Sequence, residues 1–289
     1  MMLTSLLLAL PLAGGPQIQW KAPTAYVAGE PYKVQLDITA PEGGTVVASW
    51  LVSPAAFTVN GKAVAKREDS GSLALPSGFV IKGEIDLGPY LETEKNFKLG
   101  YAKDMADERT IEVQVYKPAP AGVKYMEIPA EELGNYQVLL RTNRGDMMVE
   151  FWPDVAPGHV RNFLDLSSDG FYDGTIFHRV IPGFMVQGGD PTGTGTGDGK
   201  RKLQPEFNQK PHLAGVISMA RAPAVDSASC QFFIVHADSR HLDGQYSGFG
   251  ELTFGMEVVD AIATTPRAAG NRPLEPQTLI RAVVVQAPK

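Results

Sequence analysis

The sequence predicts a mainly β protein with two domains, a smaller β-sandwich followed by an antiparallel barrel capped by two helices. Short segments in which apolar and polar side chains alternate occur along the chain, a pattern typical of half-buried strands. Only two segments repeat apolar residues at helical spacing, and both lie in the second half of the chain. With 289 residues, 44% of them hydrophobic, the chain is long enough for two domains with separate cores.

The first 15 residues, MMLTSLLLALPLAGG, are an apolar run followed by small residues. This pattern is typical of the hydrophobic region of a signal peptide, and the run is too short to span a bilayer comfortably. We therefore expect residues 1–15 to be a signal peptide and the protein to be exported, to the periplasm or the extracellular space, without a stable membrane span. No Lys or Arg precedes the run, so an uncleaved N-terminal anchor and a buried segment stay open as alternatives.

Residues 16–118 are expected to form the β-sandwich. In residues 32–40 and 110–116, YKVQLDITA and TIEVQVY, apolar and polar side chains alternate with the period of a half-buried strand. The dipeptide Asn60-Gly61 predicts a tight hairpin turn between two such segments. Several short strands separated by Gly, Pro and Asn favour a sandwich, and AGEPYKVQLDI resembles part of an immunoglobulin-like bacterial module.

Residues 117–135 hold three prolines and no strand-length alternation. We therefore expect a linker at 119–135, with at most a short helical turn, and a second domain at 136–289. This domain opens with two strand patterns around a tight hairpin, YQVLLRTNRGDMMVEFW. Residues 155–170 and 254–263 carry the two helical patterns, and such helices are able to close the open ends of a barrel.

Three separated blocks carry the most specific signal. They are FYDGTIFHRVIPGFMVQGGDPTGTGTG at 171–197, GVISMARA leading into CQFFIV within 215–235, and HLDGQYSGFGEL at 241–252. In order and spacing these blocks resemble the cyclophilins, a family of peptidyl-prolyl cis/trans isomerases, with traits of the bacterial members. The resemblance covers residues 136–286. It implies an eight-stranded antiparallel barrel capped by two helices, with the peptide groove on the outer wall and not in the lumen.

The resemblance also implies a set of site residues. It assigns a proline pocket to Phe184, Met185, Phe233 and Leu242, its polar side to Arg179, Gln187 and Gln231, backbone contacts with the peptide to Ala220, Arg221 and Ala222, and further substrate contacts to His241 and Tyr246. Arg179, Gln187 and Phe184 would be the catalytic residues. His241 replaces a tryptophan found in many eukaryotic members. Because a smaller, polar ring covers less apolar ligand surface, tight binding of the cyclic-peptide inhibitor cyclosporin is not expected.

These residue types suit the isomerisation of an X-Pro bond. Resonance gives the peptide bond partial double-bond character and a rotational barrier of roughly 18–20 kcal/mol. In the half-rotated state the prolyl nitrogen is pyramidal and regains a lone pair, so the charged guanidinium of Arg179 can donate to it and favour that state over either planar form. One such hydrogen bond is worth about 1.5–3 kcal/mol, so apolar anchoring of the ring must contribute the rest. No cofactor or metal is needed.

We therefore expect an enzyme, a peptidyl-prolyl cis/trans isomerase that acts as a chaperone on proline-containing peptides and unfolded clients. Two alternatives stay open: a proline-peptide binding module with incidental activity, and a scaffold that acts mainly through the N-terminal β-sandwich. A net charge of −6 and a pI near 5.4 argue against nucleic-acid binding. The single cysteine, Cys230, excludes an internal disulfide framework and a cysteine-rich zinc site.

Two side-chain questions stay open at this point. Phe184, Met185 and Phe233 could line the barrel interior, because periodicity alone does not separate the interior from a groove on the outer wall. His178, beside Arg179, could be a general base. Isomerisation transfers no proton, however, so a packing or hydrogen-bonding role is favoured.

Overall fold

The computed structural model of the protein describes residues 8–10, 16–66, 71–91, 95–101 and 110–288. The chain divides into two compact units, Met1–Lys117 and Pro118–Lys289. The expected signal peptide lies outside the described residues except for a short strand at Leu8–Leu10. Within the described part of the chain, no helix is both long enough and apolar enough to cross a bilayer.

The described residues of the first unit form three sheets. Its strands are β1 (Leu8–Leu10), β2 (Gln17–Lys21), β3 (Ala25–Val27), β4 (Lys33–Thr39), β5 (Thr45–Ala48), β6 (Phe57–Val59), β7 (Lys62–Ala63), β8 (Ser72–Leu75), β9 (Val80–Asp86), β10 (Phe97–Tyr101) and β11 (Thr110–Tyr116). The sheets have the strand orders β1-β2-β4-β9, β3-β11-β10-β6-β7 and β5-β8. The pairing of β3 with β11 is parallel, and the other pairings are antiparallel.

The two larger sheets of this unit share one apolar core. Alternate residues of β4 are buried, as the two-residue alternation predicts, and Trp20 of the first sheet packs edge-to-face against Phe57 of the second at 6.0 Å between ring centroids. The expected N-terminal β domain is thus confirmed; its immunoglobulin-like character stays a prediction. Asn60 and Gly61 both have positive φ between β6 and β7, which is the two-residue hairpin turn that the dipeptide predicts.

The segment expected to be a linker, residues 119–135, lies in the second unit and packs against its core. It contains two 3₁₀ helices, Tyr125–Glu127 and Ala130–Asn135. Tyr125 and Leu133 are fully buried, and Tyr125 packs edge-to-face against Tyr136 at 5.2 Å. Two apolar anchors separated by eight positions leave no strand or helix periodicity, so the sequence pattern does not reveal that this segment is packed.

The second unit is an eight-stranded antiparallel sheet with two α-helices. Its elements are β12 (Tyr136–Thr142), β13 (Gly145–Phe151), α1 (Pro157–Ser168), β14 (Arg179–Ile181), β15 (Met185–Gly188), β16 (Val216–Met219), β17 (Phe232–Val235), β18 (Gly248–Phe254), α2 (Met256–Ala263) and β19 (Leu279–Gln286). The strand order is β14-β15-β17-β16-β18-β13-β12-β19. The hairpin expected near residue 144 joins β12 to β13.

The sheet curls until its two edges meet. The N–H of Phe177, just before β14, donates to the carbonyl of Gln277, and the N–H of Leu279 in β19 donates to the carbonyl of Thr175, each at 2.8 Å. Closing a curled sheet in this way encloses an apolar interior. Helix α1 has Pro157 in its first turn, where no intrahelical N–H is needed, and buries one apolar face against this interior. The mainly β, barrel-like fold expected from the sequence is confirmed.

Candidate active site

Four neighbouring strands of the barrel carry Arg179, Met185, Gln187 and Phe233 of the expected site, and the other expected residues lie in the adjoining loops. Antiparallel pairing of β14, β15, β17 and β16 places Arg179 opposite Gln187, Gln187 opposite Phe233, and Phe233 opposite Ser218. Side chains directly opposite each other in an antiparallel sheet point to the same face. Arg179, Gln187, Phe233 and Ser218 therefore form one row across the sheet, here called the site row.

The two faces of these strands are buried in different apolar clusters. The residues one position along each strand belong to the main core inside the barrel: Val180, Val186, Ile217 and Ile234. A separate cluster contains Met185, Val216, Phe233, Val235 and Leu242. Because alternate residues of a strand point to opposite faces, the second cluster lies on the outer wall. Met185 and Phe233 are thus outside the barrel interior, as the resemblance implies.

A chain of side-chain hydrogen bonds holds the guanidinium of Arg179. Its Nη1 donates to Oε1 of Gln187 at 3.2 Å, and Nε2 of Gln187 donates to Oε1 of Gln231 at 3.1 Å. Nε2 of Gln231 in turn donates to the carbonyls of Gly195 and Gly197, at 3.1 and 2.9 Å. In both glutamines the side-chain N–H₂ group donates away from Arg179, toward the glycine-rich loop. The amide oxygen of each glutamine therefore points back along the chain toward Arg179. The orientation of the partly exposed Arg179 side chain therefore depends, through these hydrogen bonds, on the glycine-rich loop that contains Gly195 and Gly197.

That loop is organised by Asp190, a site residue that sequence reasoning missed. Its fully buried carboxylate accepts hydrogen bonds from the N–H groups of Thr192, Gly195 and Gly197, at 2.7, 2.6 and 3.1 Å. Burial by itself would raise the pKa of Asp190, but these bonds and one from the Thr192 hydroxyl outweigh it and lower the pKa from 3.8 to about 2. An Asp followed by one Pro and then a run of alternating Thr and Gly is the sequence signal that could have indicated this role.

The apolar cluster is bordered by aromatic side chains from two loops. Phe184 is half-buried and lies 5.4 Å, between ring centroids, from the exposed His241. Tyr246 packs edge-to-face against Phe233 at 5.7 Å. Leu242, from the same loop as His241 and Tyr246, is buried in the apolar cluster with Phe233. These contacts make the cluster a patch with Phe233 beneath and partly exposed rings around it.

Arg221 joins the aromatic border to the neighbouring loop. Its guanidinium lies 4.8 Å from the ring centroid of Tyr246 and donates two hydrogen bonds to the carbonyl of Gln245, each at 3.1 Å. A guanidinium stacked on an aromatic ring and hydrogen-bonded at its edge is held in one place. Arg221 therefore acts as a fixed wall of the site, in addition to the backbone contacts that the resemblance implies.

The segment Ala220–Ala222 lines a cavity of about 330 Å³ beside the site row, together with Gln187, Gln231 and residues of the glycine-rich loop. The N–H of Ala220 donates to the carbonyl of Gln231, and the N–H of Ala222 donates to Oγ of Ser227. These two donors are therefore already used within the protein. Contacts thus connect all the expected site residues into one surface, while their individual roles stay predictions.

His178, the other candidate for proton transfer, is placed beneath the glycine-rich loop. It is buried, and this burial lowers its pKa, with the nearby Arg272 and Arg179 acting in the same direction and Asp190 against them. Its imidazole is therefore neutral at physiological pH and packs beneath the loop at Gly195. Among the described residues, no group of three or more His, Cys, Asp or Glu side chains is placed to hold a metal ion.

Comparisons with known proteins agree with this geometry. Residues 137–285 match the family model described as cyclophilin type peptidyl-prolyl cis-trans isomerase/CLD. The peptidyl-prolyl cis-trans isomerase of Synechococcus elongatus is 51% identical over 115 residues, which are 40% of this chain and 79% of that protein. The Arabidopsis thaliana peptidyl-prolyl cis-trans isomerase CYP18-1 is 43% identical over 152 residues, which are 51% of this chain and 94% of that protein.

Among solved structures, a cyclophilin-type peptidyl-prolyl cis-trans isomerase of Cryptosporidium parvum is similar, with a TM-score of 0.51 and 34% identity over 53% of this chain and 99% of that one. The structure of that protein in the presence of the dipeptide Ala-Pro gives a TM-score of 0.50. The family match spans the barrel and every residue of the site row. Fold, site and relatives together show that this chain belongs to the cyclophilin-type peptidyl-prolyl cis-trans isomerases, with its second unit as the isomerase domain.

Proposed function

We propose that the site lowers the barrier to rotation about X-Pro bonds by combining an apolar pocket with a cationic donor. The proline ring packs on the outer-wall cluster around Phe233, while Arg179 donates to the prolyl nitrogen of the half-rotated bond. The observation that carries this proposal is the site row, in which Arg179 and Phe233 lie two strands apart on one face with Gln187 between them. Neighbouring strands are about 4.8 Å apart, so the backbones of Arg179 and Phe233 are roughly 10 Å apart, a gap that an arginine side chain can bridge.

The relatives support proline as the occupant of this pocket. The similar Cryptosporidium parvum protein was solved in the presence of the dipeptide Ala-Pro. Met185 and Phe233 are less than one-tenth exposed, whereas Phe184, Ala220 and Tyr246 are partly exposed around them. A small apolar ring can therefore cover the partly exposed side chains, and anchoring it there orients the bond beside Arg179.

Selectivity for the transition state comes from the change at nitrogen. A planar imide nitrogen shares its lone pair with the carbonyl and is a poor acceptor, whereas the pyramidal nitrogen of the twisted bond is a good one. A donor that bonds only to the twisted form lowers the barrier and leaves the equilibrium between the planar forms unchanged. A hydrogen bond from a charged donor supplies about 1.5–3 kcal/mol, or roughly ten- to a hundredfold in rate.

The hydrogen-bond chain through Gln187 and Gln231 increases this effect. An arginine side chain that is free in solvent loses up to about 2 kcal/mol of rotamer entropy when it is immobilised. In this site Gln187 already holds Nη1 of Arg179 before any peptide binds. The donor therefore requires less ordering in the transition state, which is how a preorganised polar group contributes to catalysis.

The substrates we propose are X-Pro bonds of unfolded or exported polypeptides, with the protein itself exported. The apolar patch faces outward from the barrel wall, which suits an extended segment of a longer chain. Uncatalysed X-Pro isomerisation takes tens to hundreds of seconds and limits the folding of many chains. The apolar run at residues 1–15 supports export. Mass spectrometry of the N-terminus after expression in a bacterial host tests it, because an intact Met1 in the exported fraction or retention in the cytoplasm contradicts a cleaved signal.

The catalytic proposal is tested with Arg179→Ala and Arg179→Lys. Exchange between cis and trans forms of an Ala-Pro tetrapeptide is measured by two-dimensional NMR without a coupling protease. We expect the alanine variant to lose about tenfold or more in catalysed rate, and the lysine variant to recover only part of it, because a point charge cannot both contact Gln187 and reach the prolyl nitrogen.

Arg267→Ala is the matched control, because it removes an exposed arginine of the same unit outside the site. It is expected to turn over the peptide at the wild-type rate. Circular dichroism and thermal unfolding check that each variant keeps its fold. Wild-type turnover by folded Arg179→Ala would exclude the proposed role of the guanidinium.

A further inference from the structure

A buried polar network lies beside the apolar patch, on the same face of the sheet as Phe233. The side chain of His212 is 1% exposed, Ser218 is fully buried, and Asp243 follows the short 3₁₀ helix Arg240–Leu242. Nδ1 of His212 lies 2.8 Å from Oδ1 of Asp243, and Nε2 lies 3.0 Å from Oγ of Ser218. The proposed mechanism assigns no role to the side chains of these three residues.

The neighbours of His212 determine where its proton lies. A carboxylate only accepts, so Nδ1 of His212 carries the hydrogen and donates it to Asp243. In a neutral imidazole Nε2 is then the acceptor, and the hydroxyl of Ser218 donates to it. The backbone N–H of His212 also donates to Oδ1 of Asp243, at 2.8 Å. Hydrogen bonds from His212 lower the pKa of Asp243 against the opposing effect of its burial.

This arrangement has the order of a serine–histidine–aspartate triad but cannot act as a nucleophilic site. Ser218 lies in the middle of β16 with both its neighbours buried, and no substrate atom can approach its hydroxyl. The imidazole of His212 instead lies nearly parallel to the ring of Phe233, at 6.2 Å between centroids and 19° between planes. The network therefore contacts the pocket at the ring of Phe233.

His212 also holds the loop that carries Leu242. The N–H of Ser239 donates to the carbonyl of His212 at 2.8 Å, and the backbone N–H and Nδ1–H of His212 both donate to Asp243. These three bonds flank Leu242 on both sides in sequence. Phe233 belongs to β17, and Leu242 belongs to the loop after it. His212 contacts the ring of Phe233 and is hydrogen-bonded to Ser239 and Asp243, which lie on either side of Leu242 in the sequence.

We infer that His212 is a positioning residue for proline binding, which fixes the Leu242 side of the pocket relative to Phe233 through its bond to Asp243. The inference rests on the proposed function, because it requires that proline bind between these two side chains. Without the bond from Nδ1, Asp243 keeps only the backbone N–H of residue 212, so the loop around Leu242 is held less firmly beside Phe233. The bond from Ser218 orients the imidazole but does not reach the loop.

Two conservative variants separate the two ring nitrogens. Asn places a donor near the position of Nδ1, and Gln places an acceptor near the position of Nε2. The dissociation constant of an Ala-Pro tetrapeptide is measured by NMR titration on the full chain, together with thermal unfolding and the imidazole ¹⁵N spectrum of the wild type. We expect protonated Nδ1 and unprotonated Nε2 in that spectrum, peptide affinity within about threefold of wild type for His212→Asn, and affinity about tenfold weaker for His212→Gln.

Asp243→Ala provides a second route if His212→Gln does not fold, because the Asp243 side chain is 33% exposed and its removal leaves the interior filled. It is expected to weaken affinity as His212→Gln does. Equal, wild-type affinity of all folded variants would overturn the inference, as would loss of affinity in His212→Asn with retention in His212→Gln. Phe233→Ala separates this from failure of the proposed function: if it also binds peptide like the wild type, the pocket itself is wrongly placed.

Discussion

The backbone N–H of Gly197 donates to Oδ2 of Asp190 at 3.1 Å, and the carbonyl of Gly197 accepts from Nε2 of Gln231 at 2.9 Å. A single glycine therefore connects the buried carboxylate of the loop to the hydrogen-bond chain that ends at Arg179. A Cβ on Gly197 would lie 2.0 Å from Oδ1 of Asp190, where no side chain fits. The orientation of Arg179 thus depends on a residue that substrate would not need to touch.

Substitution of Gly197 by Ala is expected to displace this loop. Because the added methyl group and the Asp190 carboxylate cannot occupy the same space, the hydrogen bond to Gln231 is lost along with the loop conformation. We expect the catalysed exchange rate of an Ala-Pro tetrapeptide to fall about tenfold. The reason is that the guanidinium of Arg179, at the other end of this hydrogen-bond chain, is no longer held in position for its own hydrogen bond. Gly134→Ala is the control, because its nearest atom would be 3.9 Å away; similar losses in both variants would contradict this explanation.

Replacement of Asp190 by Asn is expected to lower stability in a pH-dependent way. The pKa of Asp190 is lowered from 3.8 to about 2, so its ionised form stabilises the fold fully above pH 4 and this contribution is lost as the pH falls through 2. We expect a loss of about 1–3 kcal/mol at pH 7, since buried donors lose a charged acceptor, and a smaller difference from wild type near pH 2. Urea unfolding of the second unit at several pH values measures it.

The control for this experiment is Asp169→Asn. Its side chain is 48% exposed and paired with Lys200 at the surface. A surface ion pair contributes less than about 1 kcal/mol, so the variant should unfold close to wild type. A difference between Asp190→Asn and wild type that stays constant from pH 7 to pH 2 would show that the carboxylate charge is not what holds the loop.

Replacement of Gln187 by Leu should lower turnover more than binding. The variant keeps an apolar side chain of similar length in the site row but leaves Nη1 of Arg179 and Oε1 of Gln231 without their partner. We expect the catalysed rate at saturating peptide to fall about tenfold, with peptide affinity within about threefold of wild type, because the apolar pocket is intact. Gln286→Leu, at an exposed position of β19, is the control. Equal loss of affinity and rate would instead indicate a collapsed site.

The wild-type protein is expected to bind cyclosporin weakly. His241 is exposed at the border of the patch, 5.4 Å from the ring of Phe184, and offers a small, polar ring to an apolar ligand. His241→Trp should tighten binding about tenfold or more, because a larger indole buries more apolar surface. Calorimetric titration of both proteins checks this. Tight binding by the wild type, or no gain in the variant, would show that position 241 does not limit affinity.

Local signals in the sequence determined much of this structure. The turn at Asn60-Gly61 could be predicted because these two residue types readily adopt the positive φ that a two-residue hairpin turn needs. Helix α1 could be predicted from a proline in its first turn and apolar residues at helical spacing. The block at residues 171–197 indicated the family, and it contains Arg179 and Gln187, whose roles stay predictions. Each of these signals is carried by residues that are close together in the chain.

Only the tertiary structure decided which face of the central strands carries the site. β16 and β17 are buried on both faces, so their sequences lack the alternation that would separate the barrel interior from the outer wall. The buried contacts of Tyr125 and His212 were also hidden, because each depends on partners brought close by folding; Asp243, for example, is 31 positions from His212. The sequence by itself determined the fold class and the family, since turns, helix spacing and motif blocks are local. The curl of the sheet determined the two faces and the buried polar contacts, since these arise only when distant segments pack together.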